Sequence, residues 1–112
     1  METLRQQQTR FAKMVPRLID KAFSMGYEVT LGDAYRDPRV HGDMGVRKSY
    51  SHPRSAHKIR LAIDINLFRD GEYLEGSEAH MQLGEFWESI GGTWGGRFGD
   101  GNHYSLEREG IK

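Results

Sequence analysis

The chain has 112 residues, which is enough for one domain with a modest hydrophobic core and too few for two domains of ordinary size. Its 16 lysines and arginines balance its 16 aspartates and glutamates, so no general attraction to nucleic acid or to an acidic membrane surface is expected. The absence of cysteine excludes disulfides and thiolate metal sites, and any metal ligands must therefore be histidine, aspartate or glutamate.

An amphipathic helix is predicted near the N-terminus. Between Leu4 and Met25 apolar residues recur at helical spacing, with Thr3 placed to cap the helix and Gly26 placed to end it. Pro16 falls within this pattern, which predicts either a kink or two helices that meet near it. The apolar stripe is typical of a helix that packs on a core.

A strand is predicted at Tyr27 to Leu31. Residues 40–54 combine glycine, serine and proline with charges, which predicts a long loop, and long loops in small domains often carry function. We predict that this loop forms one wall of a substrate groove. His41 and His52 lie in it and are interpreted as solvated residues, although His52 is close enough in sequence to His57 to support a ligand there.

The next strand carries a carboxylate in an unusual place. Apolar side chains alternate from Leu61 to Leu67, which puts Asp64 on the face opposite the aliphatic side chains. A carboxylate within a half-buried strand needs a compensating partner, and a metal ion would be one. His57 precedes the strand and follows a turn-prone segment, so a loop can return it to the face of Asp64. The small Ala62 leaves room for an ion between them.

A hairpin and a second helix are predicted after this strand. Asp70-Gly71 is a strong signal for a two-residue hairpin turn. Ser77 is placed to cap a helix that ends at Gly91-Gly92. The apolar face of that helix holds Leu83, Phe86, Trp87 and Ile90. We assign Trp87 to the core, not to a sugar-binding surface, and His80 to the protein surface.

The glycine-rich segment from Thr93 to Glu107 is predicted to be a loop that leads into a strand. His103 opens an alternating pattern, so this strand can present His103 beside Asp64. Asp100 has two interpretations, a turn residue that bonds its own backbone or a carboxylate that the loop brings to a catalytic centre. We favour the second because Asp100 lies between glycines and three residues before His103. Trp94 fits two positions, the wall of a cleft or the edge of the core.

The order of these motifs resembles a family of zinc peptidases that cleave the stem peptides of bacterial peptidoglycan. The motifs are Ser-x-His at residues 55–57, Ala-x-Asp at residues 62–64, and Asp-x-x-His at residues 100–103 after Trp-Gly-Gly. The family includes D-alanyl-D-alanine carboxypeptidases and dipeptidases, and phage L-alanyl-D-glutamate endopeptidases. Each motif alone is weak, whereas their ordered combination over residues 27–107 is much more specific.

The resemblance implies a complete site. The residues at the positions of the zinc ligands are His57, Asp64 and His103. Asp100 matches the catalytic carboxylate, and Arg36, in an Ala-Tyr-Arg step, matches an arginine that binds a substrate carboxylate or stabilises an oxyanion. The residues expected to bind substrate are Arg36, Ser55 and Trp94. Arg60 departs from the family, which usually has glycine three residues after the first histidine.

The function implied is a Zn²⁺-dependent peptidoglycan hydrolase, and our first choice is a phage-type L-alanyl-D-glutamate endopeptidase. One alternative is a D-alanyl-D-alanine carboxypeptidase or dipeptidase. Another is a non-catalytic module in which zinc stabilises a cell-wall-binding domain. The expected partner is bacterial peptidoglycan, without nucleic acid, and the chain is expected to be a monomer.

The place of action is also an expectation. No apolar run approaches the ~20 residues that span a bilayer, and the N-terminal residues lack the apolar core of a secretory signal. We therefore expect synthesis in the cytoplasm of a bacterial host without a signal peptide. The chain would reach the wall after release through a membrane pore or as part of a phage particle.

The predicted fold class is α+β, as a single catalytic domain over residues 1–112. It consists of a small, mainly antiparallel sheet with helices packed on one side. The zinc site lies on the other side, as in the hedgehog-like fold of the family that the chain resembles.

Overall fold

The first helix begins at a well-defined N-terminal cap. In a computed structural model that describes residues 1–112, helix α1 spans Leu4–Ser24. The Thr3 side chain accepts a hydrogen bond from the backbone N–H of Gln6, and the Gln6 side chain accepts one from the N–H of Thr3. This reciprocal pair is a capping box, and it satisfies two of the N–H groups that a helix start leaves open.

Helix α1 continues through Pro16, so of the two predicted outcomes, a kink or two helices, the division into two helices is wrong. Proline removes one hydrogen bond from the helix and frees the carbonyl of Ala12, one turn earlier. Both residues lie on the exposed side, where water can bond that carbonyl. The buried side carries Gln7, Phe11, Met14, Leu18 and Ala22. The helix therefore keeps its packing face intact although it loses one internal bond.

The sheet has five antiparallel strands, and the predicted α+β class is confirmed. The strands are β1 (Glu28–Leu31), β2 (Ala62–Arg69), β3 (Glu72–Tyr73), β4 (Thr93–Trp94) and β5 (His103–Ser105). Their order is β1-β2-β5-β4, and β3 pairs with β2. A short helix, α2, covers Pro38–His41, and α3 covers Met81–Ser89. The strand at Thr93–Trp94 was not predicted, because two residues before a run of glycines show no periodicity.

Strand β2 is the centre of the sheet and has the predicted alternation. Ile63, Ile65 and Leu67 are buried, whereas Asp64 on the opposite face is half-buried. The strand turns into β3 at Asp70-Gly71, where both residues have positive φ of 53° and 78°. Positive φ at both central residues is the requirement of a type I′ hairpin turn, so the predicted hairpin is confirmed.

Helix α3 is fastened to strand β5 through Trp87, which is fully buried. Its ring packs edge-on against Phe11 of α1 and against Tyr104 of β5, with ring centroids 5.9 and 6.1 Å apart. Its indole N–H donates to the carbonyl of Ser105 at 2.9 Å. The core thus fixes the strand that carries His103. None of the helices combines the length and apolar character that crossing a bilayer requires.

The prediction that His80 lies at the surface is wrong. His80 ends a 3₁₀ turn before α3, is only 2% exposed, and has its Nδ1 2.7 Å from the hydroxyl of Tyr104. Burial lowers the pKa of His80 to about 4. The partner hydroxyl lies 24 residues further along the chain, so local patterning could not indicate this buried pair.

The burial of His80 makes the stability of the folded protein depend on pH. The unfolded chain binds a proton near the ordinary histidine pKa of 6.5, whereas folded His80 binds it only near 4. The unfolded state therefore gains protons first as pH falls, and the stability contributed by neutral His80 is lost between about pH 6.5 and pH 4. We expect this residue to reduce the free energy of unfolding by about 2–3 kcal/mol between pH 7 and pH 4.5.

His80→Gln keeps a hydrogen-bonding side chain and removes the titration. Urea unfolding of both proteins at pH 7 and pH 4.5, with chelator present, measures the difference. Other acid-sensitive groups are common to both proteins and cancel in the comparison. An equal loss of stability in wild type and variant would contradict the assignment.

Candidate metal centre

Three ligand-type side chains converge on the open face of the sheet. The pairing of β2 with β5 places Asp64 directly opposite His103, as the sequence predicted. His57 comes from a 3₁₀ turn, Ala56–Ile59, that precedes β2. His57 Nε2 lies 3.2 Å from Asp64 Oδ1, and His103 Nδ1 lies 3.4 Å from the same oxygen. The carboxylate therefore stands between two imidazoles that are 1% and 4% exposed.

Local hydrogen bonds fix the orientation of the His57 ring. The Ser55 hydroxyl accepts a bond from the backbone N–H of His57 and so caps the 3₁₀ turn. Nδ1 of His57 lies 2.7 Å from the carbonyl of Ala34, which can only accept, so Nδ1 carries the proton. Nε2 is then the nitrogen with a free lone pair, and it is the one that faces Asp64.

The His103 ring presents its other nitrogen. Nδ1 faces Asp64, whereas Nε2 is buried and has no hydrogen-bond partner. The ring is held by edge-on packing against His57 and Phe98, with centroids 5.1 and 5.8 Å away. Packing and backbone pairing, not a second hydrogen bond, therefore set the orientation of this side chain.

Asp64 is held in its ionised form. Burial by itself raises the pKa of a carboxyl group, but the neighbouring His103 and His57 side chains act in the opposite direction and prevail. The pKa of Asp64 is consequently well below its ordinary value. A negative charge with limited solvent contact, flanked by imidazoles, is the electrostatic setting in which a cation binds.

The three residues fit a zinc ion. Their ligand atoms all lie within 4.8 Å of one another. Ligands ~2.1 Å from a tetrahedral centre stand ~3.4 Å apart, close to the two separations measured from Asp64 Oδ1. Two imidazole nitrogens and one carboxylate oxygen also form a donor set that catalytic zinc sites use. Hard cations such as Mg²⁺ and Ca²⁺ prefer oxygen-only sites, so the donor chemistry favours zinc.

Arg36 lies beside the centre and is held on several sides. Its Nε donates to Asp33 at 3.0 Å, and its Nη2 lies 3.6 Å from Asp64 Oδ2. Its Nη1 donates to the hydroxyls of Ser51 and Ser55 at 3.3 and 3.4 Å. The guanidinium is thus oriented with one edge towards the carboxylate of the metal centre.

Asp33 is part of the site but was not predicted. Its carboxylate accepts hydrogen bonds from Tyr50 and Arg36, and these bonds hold the pKa of Asp33 below its ordinary value. Its carbonyl also accepts a bond from the N–H of Asp64 at 2.8 Å. No sequence motif marks a residue of this kind, because its importance comes from pairing between distant segments.

Asp100 lies at the edge of the centre with its carboxylate free of hydrogen bonds. Its Oδ2 is 3.9 Å from His103 Nδ1, and its side chain is 53% exposed. Main-chain bonds close the surrounding loop, from the N–H of Asp100 to Gly95 and from the N–H of His103 to Asp100. The carboxylate does not bond its own backbone, and this leaves it available to other groups at the site.

Trp94 occupies the core, one of the two positions open to it from the sequence. It is 3% exposed, does not line the cleft, and donates its indole N–H to the carbonyl of Gly101 at 2.8 Å. Gly95 follows it, and a Cβ there would collide with the carbonyl of Asp100 and with His103. These two residues therefore support the loop that positions Asp100 and His103. The structure does not support the expected role of Trp94 in substrate binding, because its buried side chain does not reach the cleft.

A cleft of about 500 Å³ opens over the centre. Its walls are formed by Arg36, His52, Arg54, Ser55, His57, Phe98, Asp100, His103, Gly110 and Lys112. Only Phe98 among these is hydrophobic, so the cleft suits a polar substrate. His52 and Arg54 belong to the segment, residues 40–54, that was predicted to form a groove wall, and Ser55, which follows it, lines the cleft as expected.

The loop in that wall is pinned by a buried lysine. Lys58 is 4% exposed, and its Nζ donates to the carbonyls of Asp43, Val46 and Pro53 at 3.2, 2.7 and 3.1 Å. All three ammonium protons therefore have acceptors. This cage ties the loop to the turn that carries His57.

Arg60 stands where the family usually has glycine, and the backbone conformation at this position explains that preference. Arg60 adopts a left-handed conformation, with φ of 58°, where it ends the 3₁₀ turn. Glycine adopts that region without steric cost, which fits its usual occurrence at this position in the family. Here the guanidinium stacks on the ring of Tyr35, 3.9 Å from the centroid, and this contact offsets part of the cost. The turn is therefore retained without glycine.

The chain matches one known protein family. A family model described as D-alanyl-D-alanine carboxypeptidase matches residues 49–106. The matched segment contains His57, Asp64, Asp100 and His103, and it ends at the residue after β5. The comparison with curated proteins finds no significant match.

Proposed function

The chain belongs to the D-alanyl-D-alanine carboxypeptidase family of zinc peptidases, and from that premise we propose that it hydrolyses peptidoglycan stem peptides between L-alanine and D-glutamate. The coarser assignment, a zinc peptidase that acts on peptidoglycan, follows from the family. The observation that supports catalysis is the convergence of three ligand-type side chains beneath a polar cleft that also holds Asp100.

His57 Nε2, a carboxylate oxygen of Asp64 and His103 Nδ1 are the proposed zinc ligands. A zinc ion at this site supplies Lewis-acid chemistry, which polarises a carbonyl and makes a water molecule easier to deprotonate. Three protein ligands, in place of the four of a structural site, would be the number that catalytic zinc sites use.

Asp100 is the proposed general base. Its carboxylate lacks hydrogen bonds and lies at the edge of the cleft, so Oδ2 can accept a proton from the attacking water. The same oxygen then delivers that proton to the leaving amine. The main-chain bonds that close the loop fix the backbone from which this carboxylate extends.

Arg36 is proposed to stabilise the negative charge that develops on the substrate carbonyl oxygen. Its Nη2 edge faces the metal centre, and Asp33, Ser51 and Ser55 hold the rest of the guanidinium. A donor that is oriented before the reaction needs no reorganisation when charge develops.

The polarity of the cleft supports cleavage between L-alanine and D-glutamate. Its one hydrophobic wall residue gives little surface for two alanine methyl groups, which favours a bond that is followed by the more polar glutamyl residue. The second candidate, release of D-alanine from a D-alanyl-D-alanine terminus, is favoured by the description of the family that matches.

Digestion of a defined pentapeptide stem decides between them. The zinc-loaded protein is expected to release L-alanine with a new glutamyl N-terminus, as detected by mass spectrometry, and a chelator is expected to stop the reaction. Release of D-alanine would instead support the carboxypeptidase. A zinc-stabilised protein that hydrolyses neither bond would favour a non-catalytic binding module.

A further inference from the structure

One basic side chain in the cleft has no partner within the protein. Three basic residues line the cleft, namely Arg36, Arg54 and Lys112. Arg36 is held by Asp33 and Asp64, and Lys112 Nζ lies 3.8 Å from a carboxylate oxygen of Glu107. The Arg54 guanidinium is exposed and forms neither an ion pair nor a hydrogen bond. Its five donors are all available to a ligand.

Arg36 cannot easily bind a substrate carboxylate in addition to its present partners. Nε is bonded to Asp33, and Nη1 is shared between the hydroxyls of Ser51 and Ser55. Only Nη2 remains, and it faces Asp64. Two parallel N–H donors are needed to grip a carboxylate in bidentate fashion, and the free edge of Arg36 is directed at the metal centre instead.

The backbone at Arg54 is fixed although its side chain is free. Its N–H donates to Nδ1 of His52 at 3.0 Å. The carbonyl of the preceding residue, Pro53, accepts from Lys58 Nζ at 3.1 Å and from the N–H of Gly45 at 2.7 Å. An arginine that extends from such a pinned segment loses less freedom on binding than one on a mobile loop.

We propose that Arg54 binds a substrate carboxylate next to the scissile bond, so that the protein selects stem peptides with a free carboxylate over those with a carboxamide. The proposal rests on the function proposed above and assigns carboxylate binding to Arg54 and oxyanion stabilisation to Arg36. In a stem peptide the glutamyl residue after the scissile bond carries either group. A guanidinium forms two parallel charge-assisted hydrogen bonds with a carboxylate and cannot do so with an amide.

Binding provides the first test. Two stem peptides that differ only in carboxylate or carboxamide at the glutamyl residue are titrated into the zinc-loaded Asp100→Asn protein, so that neither is consumed. We expect the acid to bind about tenfold more tightly than the amide. Adding Arg54→Gln should abolish this ratio, and Arg54→Lys should restore part of it. Equal binding of the two peptides before Arg54 is changed, or an unchanged ratio after, would overturn the proposal.

Kinetics separates Arg54 from a merely structural residue. With wild-type Asp100, Arg54→Gln should raise KM for the acid about tenfold, leave kcat nearly unchanged, and leave the amide unaffected. Arg17→Gln, at an exposed position of α1, is the matched control and should change neither substrate. If Arg54→Gln raised KM equally for the acid and the amide, the assignment of carboxylate binding to Arg54 would be overturned. A protein that shows the binding preference but leaves the alanyl-glutamate bond intact would contradict the proposed function and retain the subsite.

Discussion

Replacing Asp100 by asparagine is expected to reduce hydrolysis of stem peptides by a factor of about 10²–10⁴, which is the usual contribution of a general base. The amide has nearly the same shape as the carboxylate but cannot accept the proton of the attacking water. The carboxylate forms no hydrogen bond in the folded protein, so its loss should leave the fold intact. Single-turnover kinetics on a defined stem peptide measures the effect.

The zinc content and melting temperature of Asp100→Asn separate catalysis from structure. Both should equal those of wild type, because the proposed ligands are His57, Asp64 and His103. Asp20→Asn, at an exposed position of α1, is the matched control and should retain full activity. Full activity in Asp100→Asn would remove Asp100 from the mechanism. Loss of zinc together with activity would make Asp100 a ligand instead.

The main features of the site could be predicted because they depend on local rules. Alternation in β2 puts Asp64 on the face opposite Ile63, and the Asp70-Gly71 turn defines where that strand ends. The same alternation after Asn102 places His103 on the matching face of β5. Antiparallel pairing of the two strands brings the side chains together as expected, although the strand order that creates this pairing was not predicted.

The supporting residues could not be predicted because their partners are distant in the chain. Lys58 resembles a solvated charge next to a metal ligand, yet its ammonium fills a cage of three carbonyls from the preceding loop. His80 resembles a surface residue at a helix start, yet it bonds Tyr104 of a strand that follows α3. In both cases burial depends on backbone groups or hydroxyls that only the tertiary fold brings close.

The sequence-based expectations for Trp94 and Pro16 failed or stayed open for the same physical reason, namely tertiary contacts. Trp94 could be assigned to the core or to the cleft, and the carbonyl of Gly101, which accepts its indole proton, settles the choice for the core. Pro16 would break an isolated helix, but α1 is held by packing along its buried side. Tertiary contacts thus overrode local preference at both positions.

Zinc is expected to raise the melting temperature of the wild-type protein by about 15 °C when its free concentration is about a thousand times the dissociation constant. A ligand that binds only the folded state stabilises it by mass action, by about 4 kcal/mol under those conditions. One proposed ligand, His103, is widely separated in sequence from the other two, so the unfolded chain does not assemble all three. Calorimetry with and without added zinc measures the shift.

Asp64→Asn should abolish that shift. The amide removes the negative charge between the two imidazoles, which lie 3.2 and 3.4 Å from Asp64 Oδ1, and an uncharged amide is a poor zinc ligand. His80→Gln is the matched control, because His80 lies outside the centre and its loss should leave the zinc-induced shift unchanged. If zinc raised the melting temperature of Asp64→Asn as much as that of wild type, the cation would be bound elsewhere. An unchanged shift in His80→Gln together with no shift in Asp64→Asn would place the zinc between β2 and β5, where it would hold the two halves of the site together.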